Sequence, residues 1–488
     1  MIFSKNKTVI FSILLATVNL SLAQTTNKNS SVSIIKNYKN WKWDDVMVAK
    51  NKFISVAVVP KAAGRVLEYN LGDTPSLWIN PKLFGKSFSN DEHVKIKDWR
   101  NFGGYRLVPI PVNNCAINKN GKKVKRWPPP VSIGDAPYNA EIIQNDGISS
   151  IKVTSGIQNL PVPKFDYKSK SFSVPEKIEE QFQYSRSLYI EENSSLVFIN
   201  HTLTNKGNQT IERGLKISSQ HISRSKPELE DGENFIAHIP FDKNLKLPDG
   251  KQFHISVTPE SRWRYINRNR MKLDKNNPEH IKKYFNKGTN WTGEVSPGIY
   301  ETHYDYYLMG GIEMVSSKSW LSYVNKTNNT AFVKIFEPYN PKLTYENGAN
   351  SVIFHSGLED GYLETEVKTP IYTLEAGESF NYKEIHGAAK IKSSLILDVN
   401  KSGIITQRLN FNKKSNILSG EYGVFREGKA SLQITDNLGN VSEVYIDTVD
   451  PLNTFTLKHT SNKIAKAKTI LLLIKSNNKN YILDKLEL

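Results

Sequence analysis

NFGGYRLVPIPVNNCAINKNGKKVKRWPPP, residues 101–130, opens on a glycine pair, continues through a largely apolar segment and closes on a tryptophan and three prolines. Without a Cβ, Gly103 and Gly104 let a second backbone or a ligand come close. Pro128, Pro129 and Pro130 give no ladder donor, so the end of the stretch reads as a rigid rim loop and not a central strand. Trp127 on that loop either faces a ligand or packs inward, and the sequence leaves both open.

Working outward, short β-branched runs flank this stretch on both sides. Residues 53–59 and 65–71 read as strand, turn and strand, with PKAAG between them. From 142 to 212 the chain alternates in SIKVTS, QFQYSRSLYIEE and SLVFINHTLTNKGNQTIERGLKIS, joined by Asn/Gly turns such as 205–208, which is the pattern of a meander. Residues 331–336 begin another strand, and 362–380 runs into the Ala376-Gly377-Glu378 turn. From about Ser393 aromatics thin out, and SLILDV, ASLQIT and TILLLIK predict a small β-sandwich. The expected division is 1–23 leader, 24–40 polar linker, 41–390 large β domain and 391–488 C-terminal sandwich.

With 488 residues the chain can bury a large core. Lys plus Arg outnumber Asp plus Glu by 65 to 48, a net charge of +17 that suits a polyanionic partner. Lys5 and Lys7 precede an apolar run at 9–22, and Ser21, Leu22 and Ala23 come before Gln24, the pattern of a secretory signal cleaved near Ala23. No other stretch approaches the ~20 apolar residues of a membrane span. A secreted or periplasmic protein meets acidic polysaccharide or oligosaccharide rather than nucleic acid. Cys115, the one cysteine, excludes an intramolecular disulfide and reads as a small buried residue. No Cys/His cluster appears, so neither a metal nor a cofactor is expected.

Three stretches in this order, KFISVAVVPKAAGRVLEYNLGD at 52–73, the glycine-pair stretch at 101–130 and YLETEVKTPIYTLEAGESF at 362–380, resemble secreted bacterial carbohydrate-active proteins of the galactose-mutarotase-like group. The resemblance implies an all-β chain, a large antiparallel β-supersandwich with a sugar on its concave face. It also implies that Arg65 reaches into the cleft. A strand with a TN-G turn leads to a catalytic histidine, which the resemblance places at His221 in SSQHISR; the aromatic residues that follow it in the group are replaced here by Ile222, Ser223 and Arg224. The general base is then a glutamate before the 376–378 turn, Glu364 or Glu366, with Glu364 preferred. Trp127 would stack on the sugar ring, and Arg106 is a further substrate-binding candidate.

Two more clusters carry chemistry. At 260–284, Arg262, Arg264, Arg268 and Arg270 interleave with Trp263 and Tyr265, pairing planar donors for carboxylate or sulfate with stacking surfaces; the alternative is a solvated basic segment. At 298–311, His303, Tyr304, Tyr306 and Tyr307 crowd together, and Tyr304 and Tyr306 share a face if the chain is extended. Supersandwich domains of this type occur in polysaccharide lyase families, so the expected reaction is β-elimination at a uronic acid. There His221 with Tyr304 or Tyr306 transfers protons while Arg65, Arg262 and Arg264 hold the carboxylate. Loss of the next sugar makes a lyase, and loss of water makes a dehydratase. Alternatives are a sugar 1-epimerase using Glu364 and His221, and a glycan-binding protein without catalysis.

Overall fold

The structure, a computed structural model, describes residues 31–223, 234–255, 276–278, 291–304, 309–356, 361–461 and 463–488. Two large antiparallel sheets dominate it, as expected. A twelve-stranded sheet runs from Ser31–Ile35 at one edge through Arg65–Leu71, Tyr105–Ile110, Ile211–Ile222, Tyr362–Lys368 and Ser351–Ser356 to Phe253–Ile255. A ten-stranded sheet runs from Trp291–Ser296 through Trp320–Asn325, Thr330–Phe336, Ser379–Lys390, Val197–Asn205 and Glu180–Ile190 to Asn139–Asn145. Their facing sides share one core that includes Tyr69, Tyr105, Leu215, Ile217, Tyr323, Phe332, Leu363 and Val367.

The last strand of the ten-stranded sheet ends at Lys390, and two four-stranded sheets follow from Asp398. They enclose a core of their own around Leu418, Leu432, Leu457 and Leu472. Phe425, Ile396 and Ile404 pack with Trp320, Val324, Ala331 and Val333, so this unit covers the outer side of the ten-stranded sheet. One side of the twelve-stranded sheet is left as the place where polar groups gather.

Residues 31–40, expected in the linker, are corrected. Ser31–Ile35 pairs with Val46–Lys50 and extends the sheet, and the Tyr38 hydroxyl donates to Glu68 at 2.8 Å. The alternation of Val32 and Ile34 supplies a usable edge strand that the Ser/Asn content masked. The leader lies outside the described residues. Among the described residues no helix is long and apolar enough to cross a membrane.

The glycine pair works as the sequence suggests. The Gly104 N–H donates to Trp78 O at 2.8 Å, and a Cβ on Gly104 would stand 2.2 Å from Val66 O. Gly104 also has φ +71, so alanine there meets both a clash and an unfavourable backbone region. Gly104→Ala is expected to destabilise the fold by about 3 kcal/mol or more, read from urea denaturation.

Between the sheets lies an ionisable network. His201 is held at both ring nitrogens, by the Tyr105 hydroxyl at 2.8 Å and the Tyr184 hydroxyl at 2.7 Å. Tyr105 also donates to Glu384, which lies 3.3 Å from His201 and 3.4 Å from His386. Burial drives the His201 pKa below its ordinary 6.5, so the ring stays neutral in the fold. Its stabilising contribution is therefore complete above pH 6.5 and is lost as the pH falls and the unfolded ring takes up a proton. His201→Gln is expected to flatten the fall in stability below pH 6.5 by roughly 1 kcal/mol per pH unit, measured by denaturation across pH 5 to 8.

Candidate functional site

Strand alternation decides what can meet. Ile211–Ile222 pairs with Tyr362–Lys368 so that Gln220 stands opposite Glu364, Ser218 opposite Glu366 and His221 opposite Leu363. Cross-strand partners share a face. Leu215, Ile217, Leu363 and Val367 fill the core, which puts Lys216, Ser218, Gln220, Tyr362, Glu364 and Glu366 on the other side. Tyr105–Ile110 adds Arg106, opposite Ser218, to that same side.

Arg106 is the centre of this face. Its guanidinium packs against a pair of indoles, 5.1 Å from the Trp99 ring and 5.2 Å from the Trp127 ring, which themselves meet edge to face at 5.1 Å. Cation–π contact of this kind holds a guanidinium without supplying acceptors to its N–H groups. Nη2 is 3.8 Å from Glu364 Oε1, longer than a hydrogen bond. The side chain is buried, yet Nε and Nη1 have no hydrogen-bond partner among the described residues, and neither do Trp99 Nε1 and Arg100 Nη1. Arg65, Arg100, Arg106 and Arg126 all lie within electrostatic reach of Asp135, so the locality is strongly cationic.

The two glutamates are driven apart. Burial raises the Glu364 carboxyl above its ordinary range, and the neighbouring Glu366 charge adds to it, while Gln220 Nε2 donates to Oε1 at 2.9 Å. For Glu366, burial works in the same direction, but Lys216 at 3.1 Å and the Ser218 hydroxyl outweigh it and hold the carboxyl below the usual range. Two carboxyls separated in this way divide into an acid and a base.

Several expected site residues fall elsewhere. His221 is on the core side: its ring lies flat on Tyr323 at 4.3 Å, Nε2 is 2.9 Å from Thr365 Oγ1, and burial holds its pKa well below 6.5. It therefore shares no face with Glu364, and the expected His221–Glu364 pair is corrected. The residue across from Glu364 is Gln220, an amide that transfers no proton. Tyr304 is also buried, 5.5 Å from the His355 ring, whose strand neighbour is Leu363 on the core side. Tyr306, Arg262, Trp263 and Arg264 lie outside the described residues.

Arg65 is on the right side of the sheet but is consumed by structure. It is 1% exposed, donating to Gly103 O at 3.1 Å and Gly134 O at 3.0 Å, with Asn101 Oδ1 and Asp135 each at 3.4 Å. It pins the glycine loop to Val131–Gly134 and does not reach into a cleft. Arg106, Trp127 and Glu364 are the sequence candidates that the structure brings together. Cys115 is buried, with its thiol pushed up to about 11 by burial, consistent with a packing role.

Sequence reading missed Trp99, Arg100, Arg126, Lys216 and Gln220. A signal existed for three of them: Trp99-Arg100, just before the 101–130 stretch, and Arg126-Trp127, near its end, are mirror dipeptides. Lys216 and Gln220 needed the strand register, which a one-residue slip inverts.

No protein-family model and no curated protein matches the sequence. Among solved structures, a galactose mutarotase-like protein from Clostridium acetobutylicum is 13% identical, covering 74% of this chain and 98% of its own, with a TM-score of 0.39. One from Lactobacillus casei is 10% identical over 70% of this chain and 99% of its own, TM-score 0.41. A putative aldose 1-epimerase from Klebsiella pneumoniae is 10% identical over 71% and 79%, TM-score 0.41. These three solved structures are of the group its sequence resembles, and the likeness assigns no role to any residue here.

A buried cation whose nearest carboxylate stands 3.8 Å away, beyond hydrogen-bond distance, costs stability, and sites with a function tolerate that cost. Arg106→Met, which keeps hydrocarbon packed against the two indoles, is expected to raise folding stability by about 1 kcal/mol, measured by urea denaturation.

Proposed function

We propose that the protein is an exported carbohydrate-active enzyme that removes the C5 proton of a uronate in an acidic saccharide and eliminates the oxygen at C4. The observation that carries this reading is Arg106, a buried guanidinium packed against Trp99 and Trp127 with two donors unpartnered among the described residues, beside a carboxyl whose pKa burial raises. A sugar carboxylate is planar and accepts two parallel hydrogen bonds, which suits such an edge. The basic leader pattern and the net charge of +17 support an encounter with anionic glycans outside the cytoplasm.

In this reading Arg106 binds the carboxylate and stabilises the charge that builds on it as the C5 proton leaves. Glu364 takes that proton; a carboxylate with a raised pKa is the stronger base. The C5–H electron pair becomes the C4–C5 double bond, and the C4–O bond breaks. Tyr362, two residues along the same face, gives its phenolic proton to the departing oxygen, which belongs to water in a dehydratase or to the next sugar in a lyase. The Tyr362 hydroxyl accepts a hydrogen bond from Asn101 Nδ2 at 3.3 Å.

A second reading, sugar 1-epimerisation, is favoured by the Glu364 and Glu366 carboxyls lying on one face with opposite pKa shifts, as an acid and a base for opening the ring. Incubation with uronate oligosaccharides separates the two. Elimination yields new ultraviolet absorbance from the double bond, with mass spectrometry distinguishing water loss from cleavage, and Glu364→Gln slows it about a thousandfold or more. Anomer equilibration without a chromophore supports the second reading, and retention on an acidic glycan matrix with neither change leaves binding alone.

A further inference from the structure

Thr330–Phe336 reads TAFVKIF, a run apolar on both faces except for Lys334. Phe332 and Phe336 flank Lys334 on the core side, and the lysine is fully buried. Its side chain crosses the core to the other sheet. There Nζ donates to Thr365 O at 2.8 Å and to Ile217 O at 3.2 Å, and lies 5.3 Å from the Tyr105 ring centre.

Those two carbonyls belong to neighbouring central strands that already pair on both sides, so holding the sheet together does not require a lysine. Burying an ammonium is costly, and a hydrocarbon of the same length would fill the space. The placement matters because of what stands on the reverse of the same peptides. Thr365 separates Glu364 from Glu366, and Ile217 separates Lys216 from Ser218.

We propose that Lys334 is a positioning residue for the open-face site. Tied to Ile217 and Thr365, it fixes the spacing of the two strands that carry Gln220, Glu364 and Glu366, and it sets a positive charge behind both carboxyls. The inference rests on the Arg106–Glu364 face being the site. On the core side the charged and titratable groups around Lys334 are Glu384 and His386 from one strand, His201 from the next, and His221 and Tyr105 from the opposite sheet. On the open side Glu364 and Glu366 face Arg106 and Lys216. Burial lowers Lys334 to about 8, and the attraction of Glu384, Glu366 and Glu364 works against that, so the lysine senses the carboxyls through the sheet.

The test is a carboxyl titration by carbon NMR on protein labelled at the glutamate δ carbons, with Glu364→Gln and Glu366→Gln assigning the two signals. In Lys334→Met and in Lys334→Gln, which retains an N–H donor, both midpoints are expected to rise by about one pH unit. The wild-type protein gives an independent reading: both signals should show a second inflection in the mildly alkaline range as Lys334 loses its proton. Unchanged midpoints in a folded variant overturn the proposal even if its melting temperature falls, and so does a wild-type titration with no second inflection. Failure of the wild type to act on or bind uronates instead removes the site reading, a result the carboxyl titration does not depend on.

Discussion

The register between Ile211–Ile222 and Tyr362–Lys368 is the constraint on which the rest depends. With Gln220 opposite Glu364, four aliphatic side chains, Leu215, Ile217, Leu363 and Val367, enter the core, and the polar set takes the other side of the sheet, where Gln220, Glu364 and Glu366 are buried too. Sliding either strand by one residue would exchange the two sets. Chemistry on the open face is therefore fixed by packing on the closed one. His221 and Glu364, one position out of phase, cannot cooperate.

The two faces treat charge differently. Between the sheets, Glu384 is surrounded by Tyr105, His201 and His386, with Lys334 nearby, and its carboxyl is held well below the ordinary range although burial opposes this. Lys334 has its carbonyls and His201 its two phenols. A low-dielectric interior tolerates polar groups by satisfying most of them locally, though Glu384 Oε1 and His386 Nε2 have no hydrogen-bond partner among the described residues. On the open face, Glu366 is paired in the same manner with Lys216 and Ser218, but Arg106, Trp99 and Arg100 keep donors without partners among the described residues.

Much of the architecture was legible because β structure writes itself in period two. The hairpin around PKAAG, the meander from 142, the glycine-pair approach and the change of character after 390 all follow from alternation and turn chemistry. Site residues are harder, because membership of a site depends on which of two faces a residue takes. SSQHISR offers a histidine and a glutamine side by side, and chemical habit selects the histidine; the pairing partner selects the glutamine. Lys334 was visible in principle, since a lone lysine in a strand apolar on both faces has no solvent side to occupy. What it reaches is set by the opposite sheet, more than a hundred residues away in sequence from Ile217.

Arg65 and Arg106 show how little residue type decides. They lie on adjacent strands of one sheet, on the same face, and both are nearly excluded from solvent. Arg65 is met by carbonyls of the Gly103 loop and of Gly134, backbone groups that demand donors wherever they are buried, and so it becomes a clamp. Arg106 is met by two indoles, which hold a guanidinium against aromatic surface and offer its N–H groups no acceptor. Arg65 thus spends both terminal nitrogens on the fold, while Arg106 keeps Nε and Nη1 without partners among the described residues. That difference leaves Arg106 with directional hydrogen-bonding capacity of the kind a planar anion satisfies.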